Sequence, residues 1–181
     1  MLQLTINEKE LFDNNKQEFI YVKRTTLQLE HSLVSVSKWE SRWHKPFLSD
    51  DNKTDEEIID YIRCMTITQN VDPVTYLALS SEQIKMIREY IKDSMTATTF
   101  REDQNKGKVK KKIITSEVIY YQMISLGIPM ECQKWHLNRL MTLIRVCAIK
   151  SQPEKKMKSG DQIRQYSNLN NIRRAAMHSK G

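Results

Sequence analysis

Glycine is scarce, with four residues in 181, at Gly107, Gly127, Gly160 and Gly181, none close to another. A phosphate-cradling loop needs several glycines at short spacing, so nucleotide-binding loops of that kind are excluded. No serine has the paired flanking glycines of a nucleophile elbow. Cysteine is also sparse. Cys64, Cys132 and Cys147 are odd in number and widely separated, which suits reduced thiols in a cytoplasm and not a disulfide framework. No apolar run is long enough to cross a bilayer. The first residues, Met1 to Glu10, lack the basic start and apolar stretch of a secretory signal, so export by that route is not expected. Neither an internal repeat nor a sustained heptad pattern is present.

What is present in excess is positive charge, +7 overall, and it is unevenly placed. From Lys150 to Gly181 there are eight cations against Glu154 and Asp161, so everything before Lys150 is close to neutral. Such a tail is too polar to offset its ordering entropy by burial and is expected to be largely disordered when alone. A second basic run, Arg101 to Lys112, contains Gly107 and lies between apolar segments. It reads as an exposed loop or hairpin.

Leu2, Leu4 and Ile6 alternate, as do Leu27, Leu29, His31 and Leu33, which predicts strands. Asp13, Asn14 and Asn15 supply turn chemistry before Phe19 to Val22, so a small antiparallel sheet or meander is expected over 1–35. Beyond Pro46 the period becomes helical. Thr54 with Glu57 and Ser80 with Gln83 have capping-box spacing, and Asp72-Pro73 can open a short helix through Tyr76 and Leu79. Ile84, Ile87, Ile91 and Met95 form a narrow apolar stripe. Thr115 or Ser116 can cap a further helix that ends at Gly127. Pro129 then opens a last helix, expected from Met130 to Lys150. Lys134, Asn138, Thr142 and Arg145 share a stripe of about 80° on it, opposite Leu137, Leu140, Leu143, Ile144 and Cys147. A helix with so thin a polar face is expected at the centre of the core. The reading is an α+β fold, mainly α. It has N-terminal antiparallel strands (1–35) and a compact bundle of about five helices (54–150), forming one globular domain over 1–150. A basic flexible tail occupies 151–181.

Candidate chemistry is thin. Cys132 and His136 are four apart and could supply two metal ligands, with Cys64, Cys147 or His44 to complete a set, yet no second close Cys/His pair exists. A hydrogen-bonded core histidine explains His136 better, and no metal or cofactor is expected. No spacing pairs a nucleophile with a base, and the acidic group Asp55, Glu56 and Glu57 is explained by its place in a first helical turn. The expectation is a protein that is not an enzyme. Ser116 to Arg145 has helix-turn-helix outline, but a recognition helix needs a polar face, so two packed core helices fit better. Trp39 and Trp43 concentrate with charges in Lys38 to Phe47, a composition found at binding hot spots and equally at an aromatic plug between sheet and helices. The plug is the favoured reading.

Three segments together carry a resemblance: Lys38-Trp39-Glu40-Ser41-Arg42-Trp43-His44-Lys45-Pro46-Phe47-Leu48, Met95-Thr96-Ala97-Thr98-Thr99-Phe100, and Glu131-Cys132-Gln133-Lys134-Trp135-His136-Leu137-Asn138-Arg139-Leu140. With Lys155-Lys156-Met157 and the arginine-containing tail, the chain from about Ser37 onward resembles a family of small proteins of tailed bacteriophages. The resemblance implies tail assembly or virion morphogenesis, most directly a tail assembly chaperone acting on the tape-measure protein. It would work in the host cytoplasm during assembly. A virion component of the tail or head-tail junction, retained in the particle, is the alternative, and a DNA-binding accessory protein a further one. Such a role implies adhesive surface rather than catalysis. The candidate partner-binding residues are Trp39, Trp43, Ile84, Ile87 and Ile91, together with Lys155, Lys156, Arg173 and Arg174 of the tail. Those cations could engage acidic protein segments or, less favoured, nucleic acid; no membrane partner is expected.

Overall fold

The computed structural model describes residues 1–13, 17–49, 52–100, 113–151 and 159–177. They fall into two units, Met1–Ile149 and Lys150–Gly181. The fold is α+β and mainly helical, with short antiparallel strands at the N-terminal end.

The first unit opens with nested hairpins. Strand β1 (Leu2–Ile6) pairs antiparallel with β4 (Thr25–Leu29), Leu2 opposite Leu29 and Ile6 opposite Thr25. Leu4, Ile6, Leu27 and Leu29 are buried and their neighbours face outward, the alternation expected of a half-covered sheet. Between them, β2 (Lys9–Asp13) and β3 (Glu18–Val22) pair, among the described residues, only with each other. The result is two separate two-stranded sheets in place of the single sheet or meander expected. Asp13 ends β2, while Asn14, Asn15 and the basic run 101–112 lie outside the described residues.

The alternation of Leu27, Leu29, His31 and Leu33 does not continue as a strand. Ser32 turns the chain into helix α1 (Leu33–Trp43), its hydroxyl accepting from the Ser35 N–H, and α1 ends at His44 in the left-handed conformation. This helix was not anticipated, because a period of two ran unbroken up to its first residue. Helix α2 (Asp55–Met65) and helix α4 (Ser81–Lys92) each begin with the expected capping box, Thr54 with Glu57 and Ser80 with Gln83. Between them α3 (Val74–Leu77) is short, and the Asp72 carboxylate accepts from the Val74 N–H. Met95, expected on the stripe of α4, lies past its end with φ of 49°.

Helix α5 (Ser116–Ser125) starts at the expected place, but the Thr115 side chain makes no cap bond. The Ser116 N–H donates instead to Glu40 Oε2 at 2.8 Å. Gly127, at φ +64°, ends α5 in a Schellman motif: the Ile128 N–H reaches the Met123 carbonyl and the Gly127 N–H the Ile124 carbonyl, at 2.9 and 3.1 Å. The expected last helix is two pieces, a 3-10 turn at Met130–Lys134 and helix α6 (Leu137–Lys150). Trp135 and His136 are extended between them, because the backbone of His136 bridges to Ser32 and the Leu137 N–H donates to the His31 carbonyl at 2.7 Å.

On α6 only Leu137, Leu140 and Ile144 are buried, with Leu143 and Cys147 half-covered. The centre of the core is therefore not α6. Its polar stripe is partly engaged, since Asn138 Nδ2 donates to the Ile91 and Asp93 carbonyls at the end of α4 and Arg145 stacks over Phe100. The central side chain is Trp39 of α1, which is 0 % exposed. It meets Phe47 edge-on at 5.2 Å, stacks with Trp43 at 6.1 Å, and donates from Nε1 to the Glu57 carbonyl at 2.9 Å.

In the second unit, helix α7 spans Ser159–Ala176. Its residues Tyr166 to Arg174 are exposed throughout.

Trp39→Ala removes a buried indole and leaves a cavity, a change that costs about 3–5 kcal/mol. Denaturant unfolding of the variant should show a loss of that size with the m-value unchanged.

Candidate protein-binding site

Two apolar grooves flank α2. The first lies between α2 and α4 and has a volume of about 510 Å³. Its walls are the half-buried Ile58 of α2 and Ile84 and Ile91 of α4, with Ile62 and Ile87 forming the floor and Phe47 and Tyr61 closing one side. The helical spacing of 84, 87 and 91 puts all three on one side of α4. Lys53, Arg88 and Lys92 also line the groove, so its lip is cationic. Lys53 Nζ stands 4.5 Å from the Phe47 ring centroid. The second groove, about 490 Å³, lies among α1, α2 and α3. Trp43, Ile59, Val74 and Leu77 give it an apolar surface, while Asp55, Glu56 and Asp60, against Arg63, leave its lip net acidic. Asp60 is held by Trp43 Nε1 at 3.0 Å and by Arg42 at 2.7 Å.

The expected partner-binding residues divide accordingly. Trp39 and Ile87, at 0 and 1 % exposure, belong to the core: Trp39 is enclosed by Phe47, Trp43 and Glu57, and Ile87 is the one stripe residue that points beneath the groove. A partner cannot reach Trp39 in this conformation. Trp43 opens onto the second groove, and Ile84 and Ile91 onto the first. The structure therefore does not join the tryptophans and the isoleucines in one surface but places them in different grooves. Arg173 and Arg174 are exposed on α7; Lys155 and Lys156 lie outside the described residues.

A third apolar surface escaped the sequence reading. On the outer side of the β2–β3 hairpin, Phe12, Phe19 and Tyr21 are 47, 71 and 55 % exposed. Phe12 and Phe19 face each other across the strands at 5.1 Å. The signal was available: Leu11, Ile20 and Val22 alternate with these aromatics, giving a hairpin apolar on both faces where one suffices for packing.

Two histidines and two tyrosines are buried together. His31 and His136 meet edge-on at 5.1 Å, both buried. His31 Nδ1 bonds the Tyr61 hydroxyl, and His136 Nε2–H donates to the Tyr90 carbonyl at 3.0 Å. Tyr90 in turn donates to Glu30 at 2.6 Å. Burial first, then the nearby His136, pushes His31 down from 6.5 to about 3; burial also lowers His136. His136 Nδ1 is buried with no hydrogen-bond partner among the described residues, so a proton added there would find no acceptor among them. Burial raises Tyr61, and burial followed by the Glu30 hydrogen bond raises Tyr90. Cys132 and His136 are separated by the break between the 3-10 turn and α6, so the helical face that would have paired them is interrupted. Among the described residues no three His, Cys, Asp or Glu side chains are grouped to hold a metal ion. No helix among them is long and apolar enough to cross a membrane.

Compared with protein-family models, with curated proteins and with solved structures, the chain matches none of them.

Because His31 titrates near 6.5 when unfolded and near 3 when folded, the unfolded chain binds the extra proton between those values. Stability from this group is complete above pH 6.5 and declines as the pH falls toward about 3. His31→Gln should flatten the stability profile across that window by up to about 1.4 kcal/mol per pH unit. Chemical denaturation at a series of pH values measures it.

Proposed function

We propose that the chain is a non-catalytic phage morphogenesis protein, a tail assembly chaperone that holds apolar helical segments of the tape-measure protein until they are assembled. The observation that supports this best is the α2–α4 groove. An open apolar trough lined by Ile58, Ile84 and Ile91, with Arg88 and Lys92 at its lip, suits the apolar face of an amphipathic helix whose flanks carry carboxylates. The grouping of aliphatic side chains at the base supplies affinity without orientation-specific polar contacts, which fits a holder of many similar segments.

Affinity purification of the tagged chain from infected cells tests the reading. Tape-measure protein should co-purify, and Ile84→Ser with Ile91→Ser should weaken capture about tenfold or more, since each loses apolar contact area. Thermal unfolding of the double variant controls for damage to α4. Absence of the tape-measure protein from the eluate overturns the reading. Detection of the chain in purified mature virions by mass spectrometry would favour the alternative of a structural component. DNA binding that weakens with salt and with Arg173→Gln and Arg174→Gln would favour the accessory-protein alternative.

A further inference from the structure

The β2–β3 hairpin is an interaction arm without a partner in its own sheet. Among the described residues its strands pair only with each other, and a lone two-stranded hairpin is marginal in water unless a face is covered. One face is covered: Val22 is buried and Leu11 and Ile20 are half-covered. The other presents Phe12, Phe19 and Tyr21, three aromatics on one side of a narrow ribbon, each about half exposed or more. Aromatics grouped in this way on an exposed surface mark an interface. Two carboxylates stand beside Tyr21. Glu10 lies directly opposite Tyr21, and Glu8 accepts a hydrogen bond from the Tyr21 hydroxyl at 2.8 Å.

The α2–α4 groove is the complement of that arm. It is apolar along its length, and Arg88 and Lys92, both exposed, stand at its lip. The other groove is bordered by Asp55, Glu56 and Asp60 against the cation Arg63, and so is the less favourable seat for an arm carrying carboxylates. Like charges across an interface are unfavourable and opposite ones select partner and register. We infer that the arm of one copy docks in the α2–α4 groove of a second copy, with Phe12 and Phe19 among the isoleucines and Glu8 and Glu10 toward Arg88 and Lys92. Because arm and groove are different surfaces, each copy both gives and receives, so the contact closes as a reciprocal pair or extends into a ring. Self-docking occupies the same groove as the proposed client, so a client helix must displace the arm. The inference rests on that groove being a binding surface, but not on the identity of the client.

Sedimentation velocity on the pure full-length chain tests it without any client. The expected result is association that grows with concentration up to about 100 μM and weakens with added salt. Phe12→Ser with Phe19→Ser, on the exposed ribbon, and Arg88→Glu with Lys92→Glu, on the exposed lip, should each weaken it about tenfold or more. Neither pair touches the core, and circular dichroism should show both folded. The decisive measurement mixes the two variants: one retains its groove, the other its arm, so together they should form a one-to-one dimer and nothing larger. A wild-type chain that stays monomeric, an arm variant that associates like wild type through α7 or another surface, or a mixture that stays monomeric each overturns the inference. Self-association without capture of tape-measure protein would keep this inference and remove the proposed function; capture by a strictly monomeric chain would do the reverse.

Discussion

The fold is organised around a column of rings that touch one another from helix to helix. Trp43 stacks on Trp39, Trp39 meets Phe47, Phe47 stacks on Tyr61 at 3.9 Å, Tyr61 meets His31, His31 meets His136, and His136 meets Tyr90. Each ring comes from a different stretch of chain or a different turn: α1, the loop after it, α2, the residues after β4, the start of α6, and α4. Ring pairs in such geometry add about 0.5–1.5 kcal/mol beyond the area they bury. The more important effect is positional. The rings set how α1, α2, α4 and α6 meet, and the grooves on either side of α2 are what remains when that helix is held by its aromatic face.

The column is framed by two buried carboxylates. Glu40 accepts from the Phe47 and Ser116 N–H groups, both at 2.8 Å, and so joins α1 to its following loop and to the first turn of α5. Glu57 takes part in its own capping box, receives Lys45 Nζ at 2.6 Å, and offers its backbone carbonyl to Trp39. The Lys45 hydrogen bond, more than the others, holds the Glu57 carboxyl below the usual range. Burying a carboxyl is costly when its oxygens lack donors; those of Glu40 accept from two backbone N–H groups, and those of Glu57 from the Thr54 N–H and Lys45. The two side chains act as joints where otherwise three pieces of backbone would end in unsatisfied N–H groups.

The parts of this arrangement that could be read in advance were local. The capping boxes at Thr54 and Ser80, the stop at Gly127 and the alternation of β1 depend on residues within one or two turns, and the sequence displays them directly. The isoleucine stripe of α4 was equally visible, though its division between floor and wall was not. What escaped reading depended on distant partners. Helix α1 is hidden because Leu33 continues the period of β4, and the last helix is broken because His136 pairs with a residue more than a hundred positions earlier. Trp39 shows the same limit: its aromatic and charged surroundings fitted either a hot spot or a plug, yet only the position of α2 decides that one tryptophan is enclosed and the other open. The aromatic face of the β2–β3 hairpin was missed for the opposite reason, since apolar residues on both sides of a strand ordinarily indicate burial on both.

The extended step at Trp135–His136 has a consequence for how the chain is made. On a ribosome, the opening hairpins and α1 emerge long before the segment that closes over Ser32 and His31. Until Leu137 is delivered, the His31 carbonyl lacks the N–H that it accepts in the finished protein, and the ring of His31 lacks its neighbour. Contacts spanning so much of the chain form late and slowly. The closure of His31 and Ser32 by residues 136–137 therefore joins parts of the chain that leave the ribosome far apart in time, whereas the two hairpins can pair from neighbouring sequence alone.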